Sequence, residues 1–246
     1  MSSTSSDRFW EIDFLRGIAI VLMIGYHILF DLNFFDIYSI NLHLLPFRLF
    51  LYPIGTTFLL LVGISLTLSY ARAQEKIPTK KLPLKFLFRG LKIFGFGMII
   101  TFVTWILLPE NFIIFGVLHC IGISIILAYP FLQLRIPNLL IGVVFIIVGI
   151  LLRSMVFDFS WLVWLGFAPS GFSTIDYFPL LPWFGVVLIG IFIGNTIYPN
   201  YNRKFELPDL SRYKSINFLC FLGRHSLIIY LLHQPILIGI IYLLLK

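Results

Sequence analysis

Charge is scarce in this sequence. Only 12% of its 246 residues are Asp, Glu, Lys or Arg, about half of what a soluble domain carries. That excludes a chain wrapped on every side by water. Acids are scarcer than bases, 11 against 18. Cysteine is almost missing: Cys120 falls in an apolar run and Cys220 near a polar loop. Their placement argues against a disulfide, and their spacing argues against zinc. There is no Gly-rich phosphate loop, no repeat of fixed period and no low-complexity segment. No small-residue cleavage site follows the first apolar run, so that run is expected to be a span rather than a removed signal.

What is present is apolar. Hydrophobic residues make up 59% of the chain and aromatics 17%, with 27 Phe. A span needs about 20 mostly apolar residues, and seven stretches qualify: 12–32, 49–70, 87–108, 112–132, 139–157, 180–198 and 226–245. The stretch 161–183 is aromatic and broken by Gly166, Pro169, Gly171 and Pro179. It is expected at the interface or as a re-entrant segment. Residues 216–222 are too few to cross and are expected as a surface helix. The fold class is therefore all-α, a polytopic membrane helix bundle of about seven transmembrane helices. A short tail, 1–11, precedes a single transmembrane domain, 12–246.

The bases set the orientation. With the N-terminus inside, the inner face holds Arg8, Arg16, Arg72, Lys76, Lys80, Lys81, Lys85, Arg89, Lys92, Arg135, Arg203, Lys204, Arg212, Lys214 and Arg224. Only Arg48, Arg153 and Lys246 fall outside. That asymmetry predicts N-in and C-out. It also accounts for the net charge of +7 without nucleic acid.

"RGIAIVLMIGYHILFDL" carries polar residues where lipid penalises them. At 100° per residue, with Arg16 at zero, Asp13 lies at about 60°, His27 at about 20° and Asp31 at about 60°. A charged stripe in a span faces protein or water. His27 is about 16 Å along the axis from Arg16, too deep for a surface anchor. Asp31, one turn on, is expected to accept from one ring nitrogen and leave the other free. His119 and His233 each lie about 13 Å into their spans, so three histidines from three helices are expected at matched depth. Each could instead only join helices. A histidine beside a carboxylate suits proton abstraction and equally a proton relay in a transporter. No histidine pair has metal-ligand spacing on one helix, so no metal is expected.

Four stretches carry a resemblance: "RFWEIDFLRGIAIVLMIGYHILFDLNFF", "TTFLLLVGISLTLSYAR", "FGVLHCIGISIILAYPF" and "FLGRHSLIIYLLHQP". Together they resemble the heparan-alpha-glucosaminide N-acetyltransferase catalytic-domain family, a branch of the transmembrane acyltransferases, over about residues 9–240. The resemblance implies an acetyltransferase that takes acetyl-CoA from the cytosolic side. The acetyl group passes to an amine or hydroxyl at the other face, on a sugar of a glycolipid or envelope glycan. The family's chemistry-bearing polar residue, eleven positions after the arginine of the RG pair, falls on His27.

On that footing His27 with Asp31 is expected as the base, and His119 or His233 as the donor to the developing oxyanion. Arg16, Arg72, Lys80, Lys81, Arg89 and Arg135 are the candidates for the phosphates of coenzyme A. Asp158 and Asp176 are the candidates for holding the acceptor; Trp161, Trp164 and Trp183 could stack on its sugar, with Trp183 the candidate of the three, but are read first as an interfacial aromatic belt. The expected partners are acetyl-CoA, a glycan or glycolipid and the bilayer of the cell membrane, without nucleic acid; a homodimer is compatible. The rival reading is a proton-coupled transporter using the same histidines.

Overall fold

The computed structural model describes residues 8–38 and 45–245. The first seven residues of the expected tail and Lys246 lie outside them, as does the side chain of Arg48. Among the described residues the protein is helical, with no β-strand. Eight α-helices follow one another: α1 (Trp10–Phe34), α2 (Leu45–Lys76), α3 (Leu82–Leu107), α4 (Val117–Leu127), α5 (Ile136–Leu152), α6 (Leu180–Ile197), α7 (Lys214–Arg224) and α8 (Ser226–Leu244).

Five helical segments are long and apolar enough to cross a membrane: Trp10–Phe34, Pro53–Lys76, Thr79–Leu107, Leu180–Ile197 and Ser226–Leu244. Each corresponds to an expected span. The other two expected spans hold shorter helices. α4 has 11 residues and α5 has 17, about 16 and 26 Å of rise. The reason for α4 is local. Most of 108–116 is non-helical, and backbone bonds tie it to a distant loop: Ile175 N–H donates to the Asn111 carbonyl and Phe178 N–H to that of Phe115. At the other end Pro130 lies in a 3-10 turn, Tyr129–Phe131. The stretch 161–183 is mostly loop, with one 3-10 turn at Val163–Leu165, before α6 begins.

The chain divides into two compact units. The first contains residues 1–58 and 207–246, the second 59–206. In the first unit α7 lies directly on α1. A methyl group on Gly17 would collide with the Leu219 carbonyl, and one on Gly223 with the Asp13 carbonyl. In lipid there is little hydrophobic gain from helix association, so close backbone packing at small residues supplies it. The two glycines belong to "LRG" and "FLGR", the halves of the most distinctive sequence stretches. The Cys220 thiol reaches the Trp10 carbonyl at 3.4 Å across the same contact. Further along, Ile20, Met23 and Ile54 form a buried cluster with Tyr26, Ile229 and Tyr230 against it.

The second unit is built around α6. Its core holds Leu59, Leu66, Phe86, Phe115, Ile125, Trp183, Phe184, Val187 and Ile191. α5 and α6 pair through Gly142 and Gly185, whose backbones touch.

Candidate active site

Two of the three deep histidines meet. His27 of α1 and His233 of α8 stand edge to face, with ring centroids 4.6 Å apart at 79°. Each ring is held by a backbone carbonyl of its own helix. The His27 Nδ1–H donates to the Met23 carbonyl at 2.8 Å, and the His233 Nδ1–H to that of Tyr230 at 2.6 Å. A carbonyl only accepts, so both protons sit on Nδ1 and both Nε2 atoms carry lone pairs. His233 Nε2 is buried without a hydrogen-bond partner. The geometry therefore offers two imidazole lone pairs side by side, the form in which histidine accepts a proton.

Asp31 is 2% exposed and belongs to the same unit, but it does not orient His27. The expected Asp31–His27 bond is replaced by two others. His27 takes its own helix carbonyl, and Asp31 Oδ1 accepts from the Gln234 amide at 2.6 Å. A residue four positions on would have to outcompete the carbonyl of the preceding turn, which His27 reaches without leaving its helix. Asp31 Oδ2 and Gln234 Oε1 are buried without partners. The sequence places Gln234 among the polar residues around His233, about 100° away around α8; what it does not show is the bond to Asp31. Arg16, a turn from the start of the stripe, forms an ion pair with Asp13 at 3.0 Å.

His119 lies in the second unit and has other work. Its Nδ1 accepts from Gly116 N–H at 3.2 Å, which satisfies an orphan donor at the start of α4. Its Nε2–H then faces Thr101 Oγ1 at 3.3 Å, and that hydroxyl donates to the Ile113 carbonyl at 2.6 Å. Both nitrogens are engaged, which matches a structural role. His119→Ala is expected to destabilise the protein by about 1–3 kcal/mol, because a buried N–H loses its acceptor. Protein that remains folded should transfer at near the parental rate, measured as coenzyme A release per monodisperse mole.

The remaining candidates also lie in the second unit. Arg72 stacks over the Tyr201 ring at 4.8 Å, Arg89 donates to Ser69 at 3.2 Å, and Arg135 donates to Thr196 at 3.0 Å. With the exposed Lys80 and Lys81, they gather at the end of the unit where α2 and α6 finish and α3 and α5 begin. Asp158 is exposed on the α5–α6 loop. Trp183 is 6% exposed, packs on Phe178 at 4.8 Å, and has an indole N–H without a partner.

Asp176 is half-buried in the loop before α6. Its Oδ2 accepts from Val117 N–H at 3.0 Å, so it caps α4. Burial pushes its carboxyl up to about 6, against the pull of that N–H. The neighbouring Tyr177 is raised to about 12, again by burial. A carboxyl raised in the folded state stabilises at low pH and loses that contribution as pH rises through the folded value. Asp176→Asn should therefore gain in melting temperature over the parent as pH climbs from about 4 to above about 6. A difference that stays constant over that range would contradict the assignment.

The family comparison bears on this geometry. The heparan-alpha-glucosaminide N-acetyltransferase catalytic-domain model matches residues 8–235. The chain belongs to that family. The match spans α1 to α8 and includes His27, Asp31, His233 and Gln234. Family membership makes the chain an acetyltransferase, and its long apolar helices make it an integral membrane protein. No curated protein and no solved structure matches it. Among the described residues no group of three or more His, Cys, Asp or Glu could hold a metal.

Proposed function

We propose that the protein moves acetyl from cytosolic acetyl-CoA to an amine or hydroxyl of an extracytosolic acceptor, a sugar of a glycolipid or envelope glycan in the cell membrane. The observation that carries this reading is the His27 ring. Its Nδ1–H is committed to a carbonyl, its Nε2 lone pair is free, and a second such ring and a buried carboxylate stand beside it in one unit.

The acceptor nitrogen or oxygen attacks the thioester carbon. The new N–C or O–C bond forms as the C–S bond breaks. His27 Nε2 takes the acceptor's proton and returns it to the departing coenzyme A sulfur. Asp31 supplies negative charge that favours the transient imidazolium. His233 can take the same proton, since its Nε2 is also unprotonated. Neither ring, in this tautomer, offers an N–H from Nε2 to an oxyanion.

The phosphates of coenzyme A need cations, and Arg16, in the same unit as His27, is the one we propose first; Arg72, Lys80, Lys81, Arg89 and Arg135 form a separate basic group within the second unit. The basic residues favour a cytosolic inner face, with Asp158 and Asp176 on the acceptor side. Binding of acetyl-CoA to purified protein tests the donor. Affinity should fall as salt rises, because exposed phosphate contacts are screened, and Arg16→Ala should weaken it more than Lys76→Ala. Equal, salt-insensitive binding by all three proteins would overturn the donor assignment.

A further inference from the structure

Asp31 and Gln234 are 203 positions apart in sequence, yet their side chains form a 2.6 Å bond between α1 and α8. Around it lie three buried polar atoms without partners: Asp31 Oδ2, Gln234 Oε1 and His233 Nε2. All three are acceptors. The carboxylate and the amide oxygen accept by nature, and His233 Nε2 accepts because Nδ1 holds the proton. Proteins seldom bury acceptors unpaired without a use for them. A group that satisfies this set must bring hydrogens. An ammonium or a hydroxyl does so; a thioester carbonyl, itself an acceptor, does not.

We propose that Gln234 is a binding residue for the acceptor substrate: its amide N–H ties Asp31 to α8, and its Oε1 joins Asp31 Oδ2 and His233 Nε2 in receiving one hydrogen-donating group of that substrate. The proposal rests on the acetyltransferase reading and adds the chemistry by which the acceptor is recognised. Gln234 does not touch the transferred acetyl group. It acts directly through Oε1 and also through Asp31: one carboxylate oxygen is occupied by the amide, and the other stays available. Without the amide, Asp31 Oδ1 would compete for the same hydrogens or turn toward another donor, and the carboxylate would lose its fixed direction.

The test compares the parent, Gln234→Met and the double variant Asp31→Asn/Gln234→Glu, in which amide and carboxylate exchange helices. Glucosamine and glucose serve as the acceptor probes, differing by one amine. Gln234→Met should raise the KM for the acceptor by about tenfold or more, the effect of losing a hydrogen bond to a charged group. The KM for acetyl-CoA should stay within about twofold. The exchanged pair should recover most of the loss. Preference for glucosamine identifies an ammonium as the bound group, and equal use of glucose identifies a hydroxyl; both support the proposal. If both KM values rise together in Gln234→Met, or if a well-folded exchanged pair is no better, the pair only packs helices and the proposal fails.

Should the parent release no coenzyme A at all, the acetyltransferase reading fails separately. The binding claim is then read from melting temperatures. Glucosamine should stabilise the parent and not Gln234→Met, and no shift in the parent would overturn the claim.

Discussion

Replacing His27 by alanine is expected to slow acetyl transfer by about 100- to 10,000-fold, the usual cost of a lost general base, in protein that still inserts and elutes as the parent does. The ring's hydrogen bonds are local. Its one bond runs to Met23 on its own helix, so removing it unties no distant segment. It is half-buried rather than fully enclosed. The variant should therefore lose chemistry and keep its fold. His233→Ala is expected to be active but impaired, since its Nε2 lies beside the same site without a bond of its own. Asp31→Asn should be milder than His27→Ala if the carboxylate supplies charge rather than proton transfer. Its own bond to Gln234 survives, because an amide oxygen still accepts. Coenzyme A release measured for the three variants in one detergent preparation checks this order. A fully active His27→Ala protein would shift the base to His233.

The second large effect is on folding. Gly223→Val should prevent α7 from seating on α1. A β-branched side chain would overlap the Asp13 carbonyl, where even a single methyl does not fit. Neither partner can yield: both contacting atoms are backbone, and the next glycine along the seam, Gly17, meets the Leu219 carbonyl in the same way. Overpacking of this kind costs about 3 kcal/mol or more. It should appear as loss of monodisperse protein, with Gly25→Val as the control. Gly25 lies on α1 with nothing within 4 Å of its Cβ position, and its valine variant should purify normally.

Part of the candidate site's geometry was legible from helix periodicity. The 100° spacing put Asp13, Arg16, His27 and Asp31 on one stripe of α1, and equal depth linked His27 to His233. The partners of those residues were not legible. Asp31 finds Gln234 through the way α1 and α8 pack, and no spacing within either helix encodes that. His119 looked like a third member of the set. Its bonds to Gly116 and Thr101 depend on the non-helical segment 108–116 and on α3, which a long apolar run conceals. The same segment explains why 112–132 reads as a full span while α4 has only 11 residues. Hydropathy records that the residues are apolar, and it is blind to whether their backbone is helical. Trp183 shows a related limit. As an aromatic residue after a proline-rich loop it reads as interfacial, but α6 turns it into the core of the second unit.

Acetyl transfer through His27 can be followed across a sealed membrane. The most direct measurement uses proteoliposomes loaded with glucosamine, with radiolabelled acetyl-CoA added outside. Labelled N-acetylglucosamine is expected inside vesicles that contain the parent, together with stoichiometric free coenzyme A outside, and background levels of both with His27→Ala. Equal labelling in the two vesicle preparations would contradict the role of His27. Proton-coupled uptake of the sugar by the parent, with no acetylated product, would contradict the enzyme and favour a carrier.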